Sequence, residues 1–347
     1  MNASMGGAPF VSVVIPIRNE EAFIGRTLDG ILAQDYPADR LEIIVADGMS
    51  DDRTREIVQE YARRDPRVRL LDNLARVTPT GLNAAIAAAQ GEIISRIDGH
   101  CHVASDFVSQ NVRLLAEHPE AWIVGGPIVH RGNGCFGEAA AIAMAHPLGV
   151  GMASHRFSGF EGYVDTVQFP AFRRWVFDRI GLFDTNLVRT EDDELNYRVA
   201  QAGGKMFVSP RVRYQYFVRD RVNHLFWQYF HYSFWRIPVM RKHKKPTTVR
   251  QVVPLLFGVL VAILAVAGLW MRNPIVALAL PGIYLIVIAG LGLSLVRRQG
   301  VRVSVLTSVA VVVMHTAYAV GMGYGLLAAA LRLPAWQIDG SMSALSR

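Results

Sequence analysis

The chain has 347 residues and a formal net charge of +7, so it is long enough for a large domain with a further region. Its two cysteines, Cys101 and Cys135, are too few for a disulfide framework and lie in no paired metal-ligand pattern, which favours free thiols in a reducing compartment. Most acidic residues precede residue 220, whereas the last third is strongly apolar, so two parts with different surroundings are predicted.

Strand-like and helix-like patterns alternate near the start of the chain. A β-branched run at Val11–Ile17 precedes helical apolar spacing over Ile24–Leu32. A second run at residues 41–46 precedes an amphipathic helix that ends near Arg64, and a third strand is expected at residues 68–71. This alternation predicts a mostly parallel, Rossmann-like α/β sheet, in which ligands bind beyond the carboxyl ends of the strands.

Polar residues stand where the predicted strands end. Arg18 and Glu20 follow the first strand and Asp47 follows the second, although Asp47 by itself is more typical of a turn. A later apolar strand runs into Asp98-Gly99-His100, where both side chains are expected on one side of an extended segment. An oxygen and an imidazole ligand there can hold a divalent cation, with water and a ligand's phosphates completing its shell. The alternative is a turn aspartate beside a histidine that has a structural partner.

The sequence lacks the usual glycine-rich phosphate loops. Neither Gly-x-Gly-x-x-Gly nor a Walker A motif occurs, which argues against dinucleotide dehydrogenases and P-loop NTPases. Farther along, Arg173 and Arg174 can either bind phosphate or coat a surface.

Four consecutive acids follow Thr190, where a helix is predicted to begin. Asp193 is placed to complete a capping box with Thr190, and Glu194 can pair with Arg198 one turn later. These two structural tasks leave Glu191 and Asp192 unexplained. From this stretch alone, stabilisation of the helix dipole and catalysis are both open.

Residues 223–250 combine aromatic side chains with a basic run, which is typical of helices at a bilayer surface. Nucleic acid is the alternative partner of a basic run, but the three apolar spans that follow, at residues 252–270, 274–296 and 303–331, argue against it. Each can cross a hydrocarbon core of ~30 Å, so residues 251–333 are predicted to form three transmembrane helices before a tail at 334–347. The flanking basic residues predict that residues 1–222 form a cytoplasmic domain at the inner membrane.

Together these motifs resemble family 2 glycosyltransferases of the GT-A fold, most closely the succinoglycan-type ExoA membrane transferases. The resemblance covers about residues 11–236, and the apolar tail agrees with it in outline. The segments that carry it are Val14-Ile15-Pro16-Ile17-Arg18-Asn19-Glu20-Glu21, Val45-Ala46-Asp47-Gly48-Met49-Ser50-Asp51-Asp52-Arg53-Thr54, Arg96-Ile97-Asp98-Gly99-His100, Thr190-Glu191-Asp192, and the stretch from Gln228 to Arg236.

The resemblance implies a role for each residue of these motifs. It implies nucleotide-sugar binding by Pro16, Arg18, Glu20, Asp47, Arg96, Asp98 and Arg236, metal binding by Asp98 and His100, catalysis by Asp192 as the base with Glu191 orienting the acceptor, and acceptor or phosphate contacts by Gln228 and Trp235. Acceptor or phosphate contacts are also predicted for Arg173 and Arg174, from their basic side chains alone. The chain departs from the family at two places. His100 replaces an aspartate of the metal motif, and Trp235-Arg236 is displaced from the usual Gln-x-x-Arg-Trp spacing.

The implied activity is inverting transfer of a hexose from a nucleotide sugar, with UDP-glucose as the expected donor. The implied acceptor is a polyprenyl-diphosphate-linked sugar at the lipid bilayer, in exopolysaccharide or cell-wall glycan synthesis, and the implied cofactor is Mg²⁺ or Mn²⁺. No nucleic-acid partner is expected. Two alternatives stay open: a polyprenyl-phosphate glycosyl synthase, which transfers to the phosphate itself, and a non-catalytic membrane scaffold. The intact Asp98, Glu191 and Asp192 argue against the scaffold.

Overall fold

The computed structural model describes residues 7–151, 159–244 and 251–333. The chain divides into two compact units, the first made of residues Met1–Val129 and Ser154–Tyr216 and the second of His130–Ala153 and Phe217–Arg347. Residues 130–153 therefore belong to the second unit, whereas the predicted first domain ran without interruption from residue 1 to 222. The predicted tail at 334–347 and the end of the basic run at Lys245 lie outside the described residues.

Strands and helices alternate along most of the first unit, and the second unit is largely helical. In chain order the strands are β1 Val11–Ile17, β2 Leu41–Asp47, β3 Val68–Asp72, β4 Ile93–Arg96, β5 His102–Val103, β6 Ala121–Gly125, β7 Val129–Arg131, β8 Gly162–Val164, β9 Ala171–Arg173, β10 Lys205–Val208 and β11 Tyr214–Phe217. The helices are α1 Ile24–Leu32, α2 Thr54–Arg64, α3 Thr78–Ala88, α4 Phe107–Glu117, α5 Gly134–Ala145, α6 Pro147–Val150, α7 Trp175–Ile180, α8 Glu191–Gln201, α9 Val222–Phe234, α10 Arg236–His243, α11 Val253–Trp270 and α12 Pro274–Ala330. A short 3₁₀ helix, Ala38–Arg40, precedes β2.

The first unit is organised around an eight-stranded sheet with the order β3-β2-β1-β4-β9-β6-β10-β8. The pairs β1–β2, β1–β4, β2–β3 and β6–β10 are parallel, and β8 and β9 pair with their neighbours in the antiparallel direction. The predicted mostly parallel sheet is therefore confirmed. Because Ile17 lies beside Asp47 and Val14 beside Arg96, the residues that follow β1, β2 and β4 emerge along one edge.

Both faces of this sheet are buried, which explains the near-continuous apolar strands. Val13 and Ile15 of β1 pack into a cluster that includes residues of α1, α2 and α4. Val14 packs on the opposite face into a cluster that includes residues of α3, α7 and α8. Alternate strand residues point to opposite faces, so helices cover each side of the sheet and only its edges are open to ligands.

Among the described residues of the second unit, two helices, α11 and α12, are long and apolar enough to cross a membrane by length and composition. At 1.5 Å per residue the 57 residues of α12 would extend roughly 85 Å, far beyond a single crossing. The helical backbone is broken at Gly300, whose φ of 76° favours glycine. Ser308 donates to the carbonyl of Ile288 over 3.0 Å and the Tyr284 hydroxyl lies 3.0 Å from Nδ1 of His315, so the two halves fold back on each other. The break falls between the second and third predicted spans.

Candidate active site

The loops that follow β1 and β2 are hydrogen-bonded to each other. The backbone N–H of Asn19 donates to Oγ of Ser50 over 2.9 Å, and that of Glu20 donates to Oγ1 of Thr54 over 2.7 Å. In return the Asp51 N–H donates to the Asn19 side-chain oxygen over 3.1 Å. These bonds fix the backbone of both loops at the ligand-binding edge of the sheet.

Asp47, at the end of β2, is fully buried. Its carboxylate accepts from the Ser50 hydroxyl at 2.5 Å and from Nη1 of Arg55 at 3.2 Å. Its observed partners therefore shape the loop, as the turn interpretation of the sequence predicted. Pro16 lies opposite Ala46 in the β1–β2 register. A contact of Asp47 or Pro16 with a nucleotide stays a prediction.

Asp98 and His100 belong to a turn, not to the extended segment that the sequence analysis expected. The N–H of Cys101 donates to the carbonyl of Asp98 over 3.1 Å, which closes the turn, and the Thr27 hydroxyl donates to the carbonyl of Gly99 over 2.8 Å. A Cβ at position 99 would lie 2.6 Å from a methyl carbon of Ile17, so the close approach of the turn to β1 requires glycine. The extended-strand prediction was wrong because it assumed a straight continuation of β4.

The turn brings His100 to Glu20. Nδ1 of His100 lies 2.9 Å from Oε1 of Glu20, and the His100 side chain is 40% exposed. Glu20, predicted to contact the nucleotide, thus has an imidazole as its observed partner. A carboxylate on one ring nitrogen orients the other as a metal ligand, which is common in metal sites.

Arg96, the last residue of β4, joins two carboxylates across the site. Its Nε donates to Oδ1 of Asp98 at 3.1 Å, and its Nη2 lies 3.0 Å from Oε1 of Glu191. Burial alone would lower the pKa of Arg96, but the neighbouring carboxylates of Asp98, Glu191 and Asp192 outweigh it and raise that pKa, so the guanidinium keeps its charge. Arg96 was predicted to bind the nucleotide sugar; its observed partners are acidic side chains.

Helix α8 begins without the predicted capping box. Thr190 has the left-handed φ of 61°, its side chain does not cap the helix, and its hydroxyl donates to the carbonyl of Arg189 over 2.5 Å. The prediction failed because a capping residue needs extended backbone angles to reach the helical N–H groups. The other predicted pair is confirmed, with Nε of Arg198 lying 3.0 Å from a carboxylate oxygen of the fully buried Glu194.

The two unexplained acids of α8 differ in their surroundings. Glu191 is buried against Arg96, whereas Asp192 is partly exposed and accepts the N–H of Asp193 at 2.8 Å. Desolvation raises the pKa of Glu191 to about 7, with Arg96 opposing and Asp192 adding to the shift. Desolvation, and then the Asp193 charge, raise the pKa of Asp192. Asp192 is therefore more accessible to a ligand than Glu191, which is paired with Arg96. The predicted role of Glu191 in orienting the acceptor stays a prediction.

Arg173 and Arg174 have structural partners at the opposite edge of the sheet. Arg173 pairs with Ile93, the first residue of β4, and its guanidinium donates to the carbonyls of Leu115 and Ala121 at 2.6 and 2.9 Å. Arg174 donates to the carbonyl of Ala89. Antiparallel β9 brings Arg173, and Arg174 after it, to the amino-terminal end of β4. The predicted acceptor or phosphate role of this pair stays a prediction.

Three predicted site residues lie in the second unit. Gln228 is buried in α9 and donates to the Tyr232 hydroxyl over 3.0 Å. Trp235 is 1% exposed, and Arg236 begins α10. Their expected phosphate contacts stay predictions.

The Arg96 bridge was missed by the sequence analysis, although a signal was present. An arginine at the end of an apolar strand that is buried on both faces needs acidic partners, since an unpaired buried charge is costly. Two acids without an evident structural task, Glu191 and Asp192, stood in the sequence. Pairing Arg96 with these acids would have predicted that α8 begins beside the end of β4.

The chain is similar to several known proteins. The family description "Glycosyl transferase family 2" matches residues 12–178. The succinoglycan biosynthesis protein ExoA of Rhizobium meliloti is 31% identical over 91% of this chain and 94% of its own length. A dolichyl N-acetyl-α-D-glucosaminyl phosphate 3-β-D-2,3-diacetamido-2,3-dideoxy-β-D-glucuronosyltransferase of Methanococcus voltae is 28% identical over 61% of this chain and 68% of its own length. A mannosyltransferase of Pyrobaculum calidifontis, solved with GDP-mannose and Mn²⁺, shares the fold with a TM-score of 0.59 at 23% identity, covering 91% of this chain and 88% of its own.

Proposed function

The chain belongs to glycosyl transferase family 2, and from that premise we propose that it transfers a hexose from a nucleotide sugar to a lipid-linked sugar with inversion. UDP-glucose is the first donor to test. The proposed acceptor is a polyprenyl-diphosphate-linked sugar, extended by one residue during exopolysaccharide or cell-wall glycan synthesis. The related Rhizobium meliloti protein is named for succinoglycan biosynthesis, and the name of the Methanococcus voltae relative specifies a dolichyl-phosphate-linked sugar acceptor.

The observation that carries this proposal is the cluster of Asp98, Arg96, Glu191 and Asp192. It unites the end of a central parallel strand with the first turn of α8, through contacts of 3.1 and 3.0 Å. A donor needs charge stabilisation where its nucleoside diphosphate leaves, and an acceptor hydroxyl needs a base. Asp192 is a partly exposed carboxylate that can act as the base, and Asp98 is a second one that could hold a cation to offset the charge of the leaving diphosphate.

Asp192 is the proposed general base. In a single displacement it takes the acceptor hydroxyl proton while the oxygen attacks the anomeric carbon and the nucleoside diphosphate departs, which inverts that carbon. A carboxylate whose pKa is raised holds a proton more strongly and so is a better base once ionised, and desolvation raises the pKa of Asp192. Glu191 is paired with Arg96 and carries no role in proton transfer here.

Asp98 and His100 are the residues that would hold a divalent cation. Among the residues that the structure describes, no group of three or more His, Cys, Asp or Glu side chains could hold one without other ligands. The donor set still fits, because Asp98 offers a carboxylate that is 24% exposed and Glu20 orients the His100 ring through Nδ1. Mg²⁺ or Mn²⁺ would need further ligands from phosphates or water, and when bound it would neutralise charge on the leaving diphosphate.

We propose that α11 and α12 anchor the protein in the cytoplasmic membrane. Large apolar side chains of both helices are exposed, among them Leu256, Ile263, Ile286 and Leu293. Exposed apolar surface on helices of this length is expected where lipid is the solvent. The proposed orientation, with the first unit in the cytoplasm, rests on the basic residues that flank the apolar spans.

The deciding experiment is transfer by the full-length protein in detergent with a panel of nucleotide sugars, each paired with a polyprenyl-diphosphate-linked sugar or with polyprenyl phosphate. Reactions run with Mg²⁺, with Mn²⁺ or with a chelator, and NMR of the product reports the anomeric configuration. Inverted product formed only with the lipid-linked sugar and a metal supports the proposal. Product formed on polyprenyl phosphate would favour the synthase alternative, and retained configuration would exclude the single displacement.

A further inference from the structure

We propose that Arg96 is a positioning residue, which holds the first turn of α8, and with it Asp192, beside the Asp98 end of β4. This role rests on the proposed function and replaces direct nucleotide-sugar binding, which the sequence predicted for Arg96. Three features of the molecule carry it: how α8 begins, what Arg96 contacts, and where Arg96 is anchored.

The start of α8 is not held by a side-chain cap. Thr190 makes no side-chain cap, and its left-handed backbone is costly for a β-branched residue. Asp192 accepts only its neighbour's N–H at 2.8 Å among the hydrogen bonds described for it. The first turn of a helix contributes four N–H groups without intrahelical partners, so its position depends on contacts from elsewhere.

Arg96 supplies such a contact from the rigid part of the unit. Strand β4 is paired with β1 on one side and β9 on the other, and the Arg96 N–H donates to the carbonyl of Pro170 over 2.9 Å. Its side chain is 10% exposed, and its guanidinium lies 6.0 Å from the centre of the Phe183 ring. A buried guanidinium held by two carboxylates has little rotational freedom, so the carboxylate it binds on α8 is fixed in place.

Two nitrogens of the Arg96 guanidinium contact carboxylates on different parts of the site. Nη2 reaches Glu191 on α8, and Nε reaches Asp98. If Arg96 positions α8, its loss lowers kcat because Asp192 is no longer aligned with the acceptor. Donor binding is not weakened, because removing Arg96 takes a competing cation away from Asp98. If Arg96 instead bound donor phosphates, its loss would raise the donor KM.

The test compares Arg96→Gln, Arg96→Lys and Glu191→Ala with wild type in the transfer assay. We expect kcat to fall by about ten- to a hundredfold in Arg96→Gln and Glu191→Ala, with the donor KM unchanged or lower. Arg96→Lys keeps the charge but cannot bridge both carboxylates, so an intermediate kcat is expected. The double variant Arg96→Gln/Glu191→Ala should be no slower than the slower single variant, because each substitution breaks the same Arg96–Glu191 ion pair.

Arg198→Gln is the matched control, since it removes another buried ion pair of the same helix. It is expected to lower the melting temperature while leaving kcat close to that of wild type. Equal loss of kcat in Arg198→Gln, a raised donor KM in Arg96→Gln, or additive effects in the double variant would each overturn the proposal.

A second measurement does not depend on activity. Hydrogen–deuterium exchange of the full-length protein in detergent reports the amides of Glu194 and Leu195 at the start of α8. Exchange there should be faster in Arg96→Gln than in wild type, while the central strands keep their protection. Unchanged exchange would refute the positioning role even if no donor were found, whereas an inactive wild type with the expected exchange would refute only the proposed function.

Discussion

Asp192→Asn is the substitution that tests the proposed chemistry most directly. It replaces one carboxylate oxygen by an amide nitrogen and removes the ability to take a proton. The side-chain oxygen of the introduced asparagine can still accept the Asp193 N–H, so the hydrogen bond of 2.8 Å at the start of α8 is preserved. The variant is therefore expected to fold like wild type, and its defect should be confined to catalysis.

The expected magnitude follows from what a general base contributes. Loss of general-base catalysis typically lowers the rate by about 10²–10⁴-fold, or about 3–5 kcal/mol in the activation free energy. Because Asp192 is assigned no contact with the donor, the donor KM should stay within about threefold of wild type. Initial rates of nucleoside diphosphate release are measured with saturating acceptor over a range of donor concentrations. These rates separate kcat from the donor KM.

Asp193→Asn provides the control, because it removes the neighbouring charge without touching the proposed base. It is expected to retain most of the activity. A modest change is expected because the substitution removes the Asp193 charge, which raises the pKa of Asp192 in the wild type. Near-normal turnover in Asp192→Asn would refute the assignment. A loss in Asp193→Asn as large as that in Asp192→Asn would show that total acidity, not one base, is required.

Three further results are expected. Activity should fall on acidification at a higher pH than an ordinary aspartate would give, because desolvation raises the pKa of Asp192 and the base acts only when ionised; a pH–rate profile whose acid limb lies in the usual aspartate range would contradict this. Glu20→Gln should weaken Mn²⁺ binding about 10–100-fold, measured by paramagnetic resonance with donor present, because it removes the carboxylate that orients His100. Arg173→Ala should cost about 1–3 kcal/mol of stability in a thermal melt, because it leaves carbonyls without a donor, and should leave the donor KM unchanged.

The strands and helices of the first unit could be predicted because their signals are local. Strand β2 is buried along its whole length and therefore forms a nearly unbroken apolar run in the sequence. Helix α1 carries its buried residues Ile24, Leu28 and Ile31 at helical spacing. The residues placed after the strands, including Arg18 and Asp98, could be predicted from the parallel arrangement, since ligands collect at that edge.

The remaining features depend on contacts between distant residues. The position of β9 between β4 and β6 carries Arg173 away from the ligand edge, and no local pattern predicts an antiparallel strand in that place. The turn at Asp98 is set by Thr27 and by close packing against Ile17, both far away in sequence. The apolar run of α12 predicts length, but the fold back at Gly300 is defined by pairs such as Ser308 with Ile288.

The charges of the cluster suggest why the proposed reaction needs a cation. Asp98, Glu191 and Asp192 surround the positive charge of Arg96 at this end of the sheet, and the pKa values of Glu191 and Asp192 are raised by desolvation and by the acids beside them. A nucleoside diphosphate would add further negative charge to the same place. Arg96 alone cannot balance both, because it is already bound to Glu191 and Asp98. A divalent cation at Asp98 would offset the phosphate charge and lower the pKa of Asp192, so that donor binding would favour the ionised base.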